Sequence, residues 1–302
     1  MLPLARAFSE ESLPKLAKPC ADRSKQGALA GSRSPLGRRD ACGLFDRILE
    51  LVGKALGQLR QQRATHGFPH WRHRATAFHA YVEHDLGPAV AEGHSAGADK
   101  LEEVLDWCEE ADIDVVSVWG LSVDNLSRGP EELEGLMRLF EARLMDLVDS
   151  ERIHRNRVQV RVVGRRELLP EHVRQAAERA ERATAHHRRR TLNICLAYGG
   201  REEIVDALRA WHQAAVAAGA DPAEAVARLE PDDLSPYLST APAPNPDLII
   251  RTSGEVRLSG FLLWQSAQAE FYFCDTYWPA FRKIDFLRAL RSYDQRHRRF
   301  GR

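Results

Sequence analysis

The residues best suited to chemistry lie in one stretch late in the chain. A short apolar strand leads into a loop that contains Arg251, Arg257, Ser259 and two glycines, and an apolar segment then ends at Glu270. Small residues let the backbone approach an anion, and arginines bind phosphate oxygens as a fork. A lone carboxylate beside these basic residues is suited to a bridging divalent cation. The alternative is an ordinary loop with solvated arginines, since no single Arg or Gly is diagnostic.

Length, charge and cysteine content limit the classes of protein to which the chain can belong. It has 302 residues, enough for one large domain or two small ones, with 43 basic and 43 acidic residues. This balance argues against nucleic acid as the main partner. The five cysteines form no CxxC pair, which argues against a zinc site and a disulfide framework. No apolar run is long enough to span a bilayer, so we expect a cytoplasmic protein.

The pattern of apolar residues predicts an α/β fold. Residues 1–39 are polar and aperiodic and are expected to form a disordered tail, followed by a single domain over 40–302. Asp40 is placed to cap a helix, and from about residue 96 helices alternate with strands. Strands are predicted at 113–119, 158–162, 192–197, 248–250 and 271–273, with helices beginning near Pro130, Pro170 and Lys283 and a further one after the Gly199-Gly200 turn. Short connections between alternating elements predict a mostly parallel sheet covered by helices on both faces.

Three polar loops follow three of the predicted strands. They are residues 122–128, 199–201 and 251–259. Ligands of such sheets bind beyond the carboxyl ends of the strands, so these loops are expected to meet at one edge.

The loops, in this order, resemble the cis-prenyltransferase family, whose best-known member is undecaprenyl diphosphate synthase. The resemblance covers about residues 93–301 and rests on the segments 93–97, 121–128, 192–201, 251–270 and 299–301. It implies the family's α/β fold. It also implies an isoprenyl transferase that uses Mg²⁺ to join isopentenyl diphosphate to an allylic diphosphate, of the geranyl or farnesyl type, with a new cis double bond. A homodimer is implied as well, with transient association with the membrane surface through the apolar product.

The resemblance also assigns roles to individual residues. Arg251, Arg257 and Ser259 are expected to hold isopentenyl diphosphate, and Glu270 to help bind magnesium. The remaining assignments are His94 near the allylic diphosphate, Ser122, Asp124, Asn125 and Arg128 around the reacting ends, and Arg299 across the dimer interface. The family usually has Glu where Asp124 stands. Taken alone, His94 would be a helix-start residue, Asn125 a turn former and Arg128 a solvated charge.

Residues 62–92 depart from the family pattern. The family begins with an apolar strand that ends in Asp-Gly-Asn, and its aspartate is the central catalytic carboxylate. Here we expect no such strand, and counting back from Gly93 at the usual spacing reaches Ala77. A local reading-frame slip in the coding sequence is one explanation. Substitution by Glu83 or Asp85 is a second, and a non-catalytic subunit that supports an active partner is a third. A diphosphate-binding regulator is a further class of function for such a chain.

Overall fold

The computed structural model of the protein describes residues 75–79 and 89–295, with side chains at 75–78 and 96–295. The predicted tail and the helix at Asp40 lie outside these residues, and the single-domain boundary at residue 40 stays a prediction. The described strands are β1 (Ala75–His79), β2 (Val115–Trp119), β3 (Val158–Val163), β4 (Arg190–Cys195), β5 (Leu248–Arg251) and β6 (Glu270–Phe273). They form one six-stranded sheet in the order β3-β4-β2-β1-β5-β6, and every neighbouring pair is parallel. The predicted α/β fold class is therefore confirmed.

Eight α-helices are described in the same part of the chain. They are α1 (Ala89–Glu110), α2 (Pro130–Val148), α3 (Glu151–Arg155), α4 (Glu171–Thr184), α5 (Gly200–Ala217), α6 (Pro222–Ala227), α7 (Pro231–Leu234) and α8 (Lys283–Gln295). Proline at the first position starts α2, as the sequence predicts, because its missing N–H needs no partner there. Between residues 89 and 295, no helix is both long and apolar enough to cross a membrane.

Strand β1 corrects the expectation that residues 62–92 contain no strand. Its five residues pair with β2 on one side and β5 on the other, so that Ala77 lies between Ser117 and Ile249. Ala77 and Phe78 are fully buried. Alanine and threonine carry little of the apolar signal that marks a strand in sequence. Hydrogen bonds to the two neighbouring strands and burial of the small side chains stabilise this strand, although its own sequence does not favour one.

The two faces of the sheet bury different kinds of surface. One face is apolar and packs against buried residues of α1, α2, α4 and α8. The opposite face has a smaller apolar cluster, in which the rings of Trp119 and Phe261 stack at 5.1 Å and Tyr198 meets both edge-on. Because successive strand residues point to opposite faces, this second face receives the residues that alternate with the large core, and several of them are polar.

A buried carboxylate organises the polar part of the second face. Glu203, in the first turn of α5, is 6% exposed. It accepts hydrogen bonds from the Tyr198 hydroxyl at 2.6 Å, the Gln265 amide at 2.9 Å and the Ser239 backbone N–H at 3.0 Å. Burial, with the adjacent Glu203 charge, raises the pKa of Tyr198 far above its usual range, so the phenol stays protonated as a donor. The network joins the start of α5 to two distant segments of the chain.

Replacing Tyr198 by Phe should therefore lower the free energy of unfolding by about 1.5–3 kcal/mol, the cost of removing one hydrogen bond to a buried charged group. Urea unfolding of the purified chain measures the change. Tyr237→Phe is the matched control, because Tyr237 is 37% exposed and should change stability by less than about 0.5 kcal/mol. Equal stabilities for the two variants would contradict the role of Glu203 as an anchor.

A histidine pair joins the segments that precede β3 and β4. His154 Nε2 lies 2.6 Å from the carbonyl oxygen of Val148, so this nitrogen carries the proton that is donated. His154 Nδ1 then accepts from Nε2 of His187 at 3.1 Å. His187 is 5% exposed, and burial, with the charges of His186, His154 and Arg157, lowers its pKa below the ordinary value.

The lowered pKa of His187 predicts acid destabilisation. The unfolded chain binds a proton near pH 6.5 and the folded chain only at lower pH, so the stability contributed by neutral His187 is present above pH 6.5. It is lost as the pH falls from that value through the folded pKa. Urea unfolding at pH 7.5 and pH 5.5 should show a smaller loss of stability for His187→Asn than for the wild type. His212→Asn, which removes a partly exposed histidine on α5, serves as the control. An unchanged loss in His187→Asn would refute the assignment.

Candidate active site

Three loops meet at the carboxyl edge of the sheet, as predicted. They follow β2, β4 and β5, and these strands together with β1 are contiguous in the order β4-β2-β1-β5. Ser122 forms a parallel bridge with Tyr198, which joins the first loop to the second. The backbone N–H of Gly200 donates to the carbonyl oxygen of Gly260 at 2.9 Å, which joins the second loop to the third. A side chain at position 200 would place its Cβ 2.4 Å from that oxygen, so the close approach requires glycine.

The loop after β2 is a tight turn closed by Ser122 and Asn125. The Ser122 hydroxyl donates to Asn125 Oδ1 at 2.8 Å, and the Asn125 backbone N–H donates to Ser122 Oγ at 3.1 Å. Asn125 is thus a turn former, and its side-chain N–H groups are the part that can donate to a ligand. Asp124 is exposed on the same turn. Arg128 forms an ion pair with Glu132 at 3.0 Å, where α2 begins.

The loop after β5 gathers two arginines around one serine. Arg251 is 3% exposed, and its Nη1 donates to the carbonyl oxygen of Arg257 at 2.6 Å and to Ser259 Oγ at 2.8 Å. Arg257 Nε donates to the same Ser259 oxygen at 3.2 Å. The chain reverses through residues with positive φ, among them Gly254 at 74° and Gly260 at 93°, so that Arg251 and Ser259 meet. The three residues predicted to hold one diphosphate therefore lie together.

Glu255 completes this cluster and was not selected from the sequence. Its carboxylate accepts from Nη2 of Arg251 and, at 2.7 Å, from Nη2 of Arg257. Its position four residues after one arginine and two before the other was the available signal. The carboxylate neutralises one of the two guanidinium charges and fixes both groups. The side chain of Arg257 is 64% exposed, so it is the more accessible cation for a ligand.

Glu270 lies away from these loops. It pairs with Leu248 at the start of β5, whereas Arg251 at the end of β5 pairs with Phe273. Three residues of extended strand separate the two positions by about 10 Å. Within one chain the structure does not bring Glu270 to the arginines, and its role in binding magnesium stays a prediction.

The described residues do not form a metal site by themselves. Among the side chains described at 75–78 and 96–295, no three from His, Cys, Asp or Glu are grouped so that they could hold an ion. Magnesium is commonly held by one or two carboxylates together with substrate phosphates, so a bare cage is not required. Glu255, however, is already bound by two guanidinium groups.

Two further predicted site residues, His94 and Arg299, and the Asp-Gly-Asn motif concern the ends of the family match. His94 belongs to helix α1, but its side chain is outside the described part of the chain. Arg299 is outside the described part altogether. The carboxyl end of β1 is occupied by His79, whose backbone pairs with Arg251. β1 therefore ends at the edge where the loops meet, and no Asp-Gly-Asn sequence follows it.

Known proteins match most of the chain. The family model for undecaprenyl diphosphate synthase matches residues 82–301, beginning just after β1. An isoprenyl transferase of Thermus thermophilus is 54% identical over 217 residues, which cover 72% of this chain and 82% of that protein. In Methanopyrus kandleri, a tritrans,polycis-undecaprenyl-diphosphate synthase (geranylgeranyl-diphosphate specific) is 51% identical over 224 residues, covering 72% of this chain and 79% of its own length.

A solved structure with the same fold is lavandulyl diphosphate synthase from Lavandula x intermedia in complex with dimethylallyl diphosphate. It superposes with a TM-score of 0.67 at 30% identity, covering 76% of this chain and 99% of that one. The carboxyl-edge loops of the present chain and this likeness in sequence and fold lead to one conclusion. The chain belongs to the undecaprenyl diphosphate synthase family, whose members are isoprenyl transferase enzymes.

Proposed function

We propose that the chain condenses isopentenyl diphosphate with an allylic diphosphate of the geranyl or farnesyl type to give a longer Z-polyprenyl diphosphate. The observation that carries the proposal is the cluster of Arg251, Glu255, Arg257 and Ser259 at the carboxyl edge. Two guanidinium groups and a serine hydroxyl converge there, and they bind a diphosphate with geometric specificity.

The cluster is built to position one substrate before reaction. Arg251 is fixed by its three partners, and a diphosphate that approaches Arg257 competes with Glu255 for the same N–H groups. Each charge-assisted hydrogen bond to the ligand contributes about 1.5–3 kcal/mol. Anchoring the diphosphate fixes where the homoallylic double bond lies, which turns condensation into a reaction between oriented groups.

The loop after β2 is proposed to face the allylic substrate. Negative charge develops on the leaving diphosphate as its C–O bond breaks, and fixed donors stabilise that charge. Ser122 and Asn125 hold each other in a rigid turn, which leaves amide N–H groups of Asn125 for a ligand. Asp124 is proposed to border the reacting ends, with Arg128 and His94 contributing to substrate binding.

Magnesium is proposed from the family resemblance. When bound, it supplies positive charge to diphosphate oxygens and to the leaving group. Glu255 is committed to arginines and Glu270 lies at the far edge of its strand. An ion at the carboxyl edge would therefore be held largely through substrate oxygens. A homodimer that uses Arg299 across its interface is proposed on the same ground.

A second function has its own supporting observation. Neither Ala77, the position that the family spacing reaches, nor His79, which pairs with Arg251 at the end of β1, is a carboxylate. A subunit that binds isopentenyl diphosphate and supports a catalytic partner would need the arginine cluster but no such carboxylate. The alternative is a non-catalytic subunit of a heteromeric cis-prenyltransferase.

Replacing Arg257 by Lys should raise the KM for isopentenyl diphosphate roughly 10- to 100-fold, because a point charge replaces a fork. Arg251→Lys should do the same and should also lower the free energy of unfolding, since Arg251 is buried and holds the loop together. Steady-state kinetics and urea unfolding measure the two effects. Arg228→Lys, on an 80% exposed side chain, is the control. An unchanged KM in Arg257→Lys would show that Arg257 does not bind isopentenyl diphosphate and would contradict the proposed substrate site.

Incubation with labelled isopentenyl diphosphate, farnesyl diphosphate and Mg²⁺ distinguishes the proposed enzyme from the proposed non-catalytic subunit. With the coding sequence verified over 62–92, we expect labelled polyprenyl diphosphate that is lost when EDTA is added. Absence of product, with stimulation of a co-expressed homologue that has Asp-Gly-Asn, would instead establish the subunit. Saturable isopentenyl diphosphate binding with neither effect would indicate a diphosphate-binding regulator.

A further inference from the structure

A cluster of exposed basic residues lies at the amino edge of the sheet, opposite the candidate active site. It is formed by two short segments, one before β3 and one before β4. We refer to it as the amino-edge basic patch, and its members are Arg155, Arg157, His186, Arg188 and Arg189, all of them exposed.

The patch is fixed by the backbone. The N–H groups of Arg189 and Arg190 both donate to the carbonyl oxygen of Arg157 at 3.3 Å. Arg157 has a φ of 51°, so the chain turns sharply just before β3. The hydrogen bond between His154 and His187 also joins the same two segments. The cations therefore sit on a rigid platform rather than on an independent loop.

The charge of the patch is not balanced locally. Among the residues that the structure describes, Arg155, Arg157 and Arg189 form no ion pair, and the guanidinium of Arg188 donates only to the carbonyls of Ala185 and His187. The carboxylates of Glu109 and Asp112 face buried Arg190, at 3.6 and 3.9 Å. Glu151, in the first turn of α3, is the acidic residue on the element that carries Arg155.

An apolar cavity lies beside the patch and shares its supporting elements. Its walls come from α1, α3 and the starts of β2, β3 and β4, and they include Leu105, Cys108, Ile113, Val116, Ile153 and Leu192. Arg190 also lines this cavity, and its Nε and Nη1 have no hydrogen-bond partner within the described residues. The five patch residues themselves do not line the cavity, whose polar lining also includes Glu109, Asp114 and Arg152.

We propose that the amino-edge basic patch docks the protein on an anionic lipid surface. The proposal rests on the proposed function, because the product of that reaction is an apolar chain that must reach a membrane. Clustered Lys and Arg residues are attracted to anionic lipid headgroups. No Phe, Tyr or Trp side chain belongs to the patch, so it lacks the large stacking platform typical of single-strand nucleic-acid sites. Docking through this edge leaves the carboxyl edge open to water-soluble substrates.

Sedimentation with phospholipid vesicles tests the proposal on the full chain. Binding to phosphatidylcholine vesicles that contain phosphatidylglycerol should exceed binding to phosphatidylcholine alone, and salt should weaken it. The double substitution Arg155→Glu/Arg189→Glu should lower the partition coefficient at least about tenfold. The control Arg138→Glu/Arg228→Glu changes the net charge equally at two exposed arginines on α2 and just after α6, and it should retain most of the binding.

Three results would overturn the proposal. They are equal binding to both vesicle types, an equal loss of binding in the two double variants, and saturable patch-dependent binding of a short RNA in place of vesicles. Thermal unfolding of each variant shows whether its fold is kept. Isopentenyl diphosphate incorporation in detergent solution separates this proposal from the proposed function. Loss of vesicle binding with activity intact in Arg155→Glu/Arg189→Glu would support docking independently of catalysis.

Discussion

The burial of one guanidinium group dictates the shape of the carboxyl edge. Arg251 is 3% exposed at the end of β5, and a buried charge is stable only when it is paired and hydrogen-bonded. Its partners include Glu255, Ser259 and the carbonyl of Arg257, all within eight residues along the chain. To surround the side chain the loop must turn back on itself, which explains the positive φ angles at Gly254 and Gly260. Arg257 is then left at the surface beside the same carboxylate.

Contacts on the second face of the sheet connect the arginine loop to the neighbouring loops. Tyr198 ends the segment after β4, bridges to Ser122 and donates to buried Glu203. Gln265, which lies just after the arginine loop, donates to the same carboxylate. The second loop and the segment that follows the third thus share one buried acceptor and the backbone contact of Gly200 with Gly260, and the first loop is joined to them through the Ser122–Tyr198 bridge. A change in that network would move binding residues that it does not touch, because packed interiors transmit displacement.

Sequence patterns predicted the elements whose own residues carry the signal. Alternating valines gave β3, and Pro130 gave the start of α2. β1 was missed because Ala75 and Ala77 have no strong strand preference and are held by pairing on both sides. Glu255 was missed because a carboxylate between arginines looks like a solvated charge until the loop is closed. The distance between Glu270 and Arg251 follows from the pairing of β5 with β6, which spacing along the chain does not reveal.

The contacts that hold the arginine cluster together are distinct from the residues at the end of β1. Arg251 and Arg257 both contact Glu255 and Ser259, and Arg251 also contacts the carbonyl oxygen of Arg257, so these contacts lie within the loop itself. β1 contributes backbone pairing to β5, and a strand of any sequence that buries well can do this. A change of residue after β1 would therefore leave these contacts within the arginine loop in place. The proposed binding of isopentenyl diphosphate therefore depends on the arginine loop, whereas the proposed turnover also requires residues outside that loop.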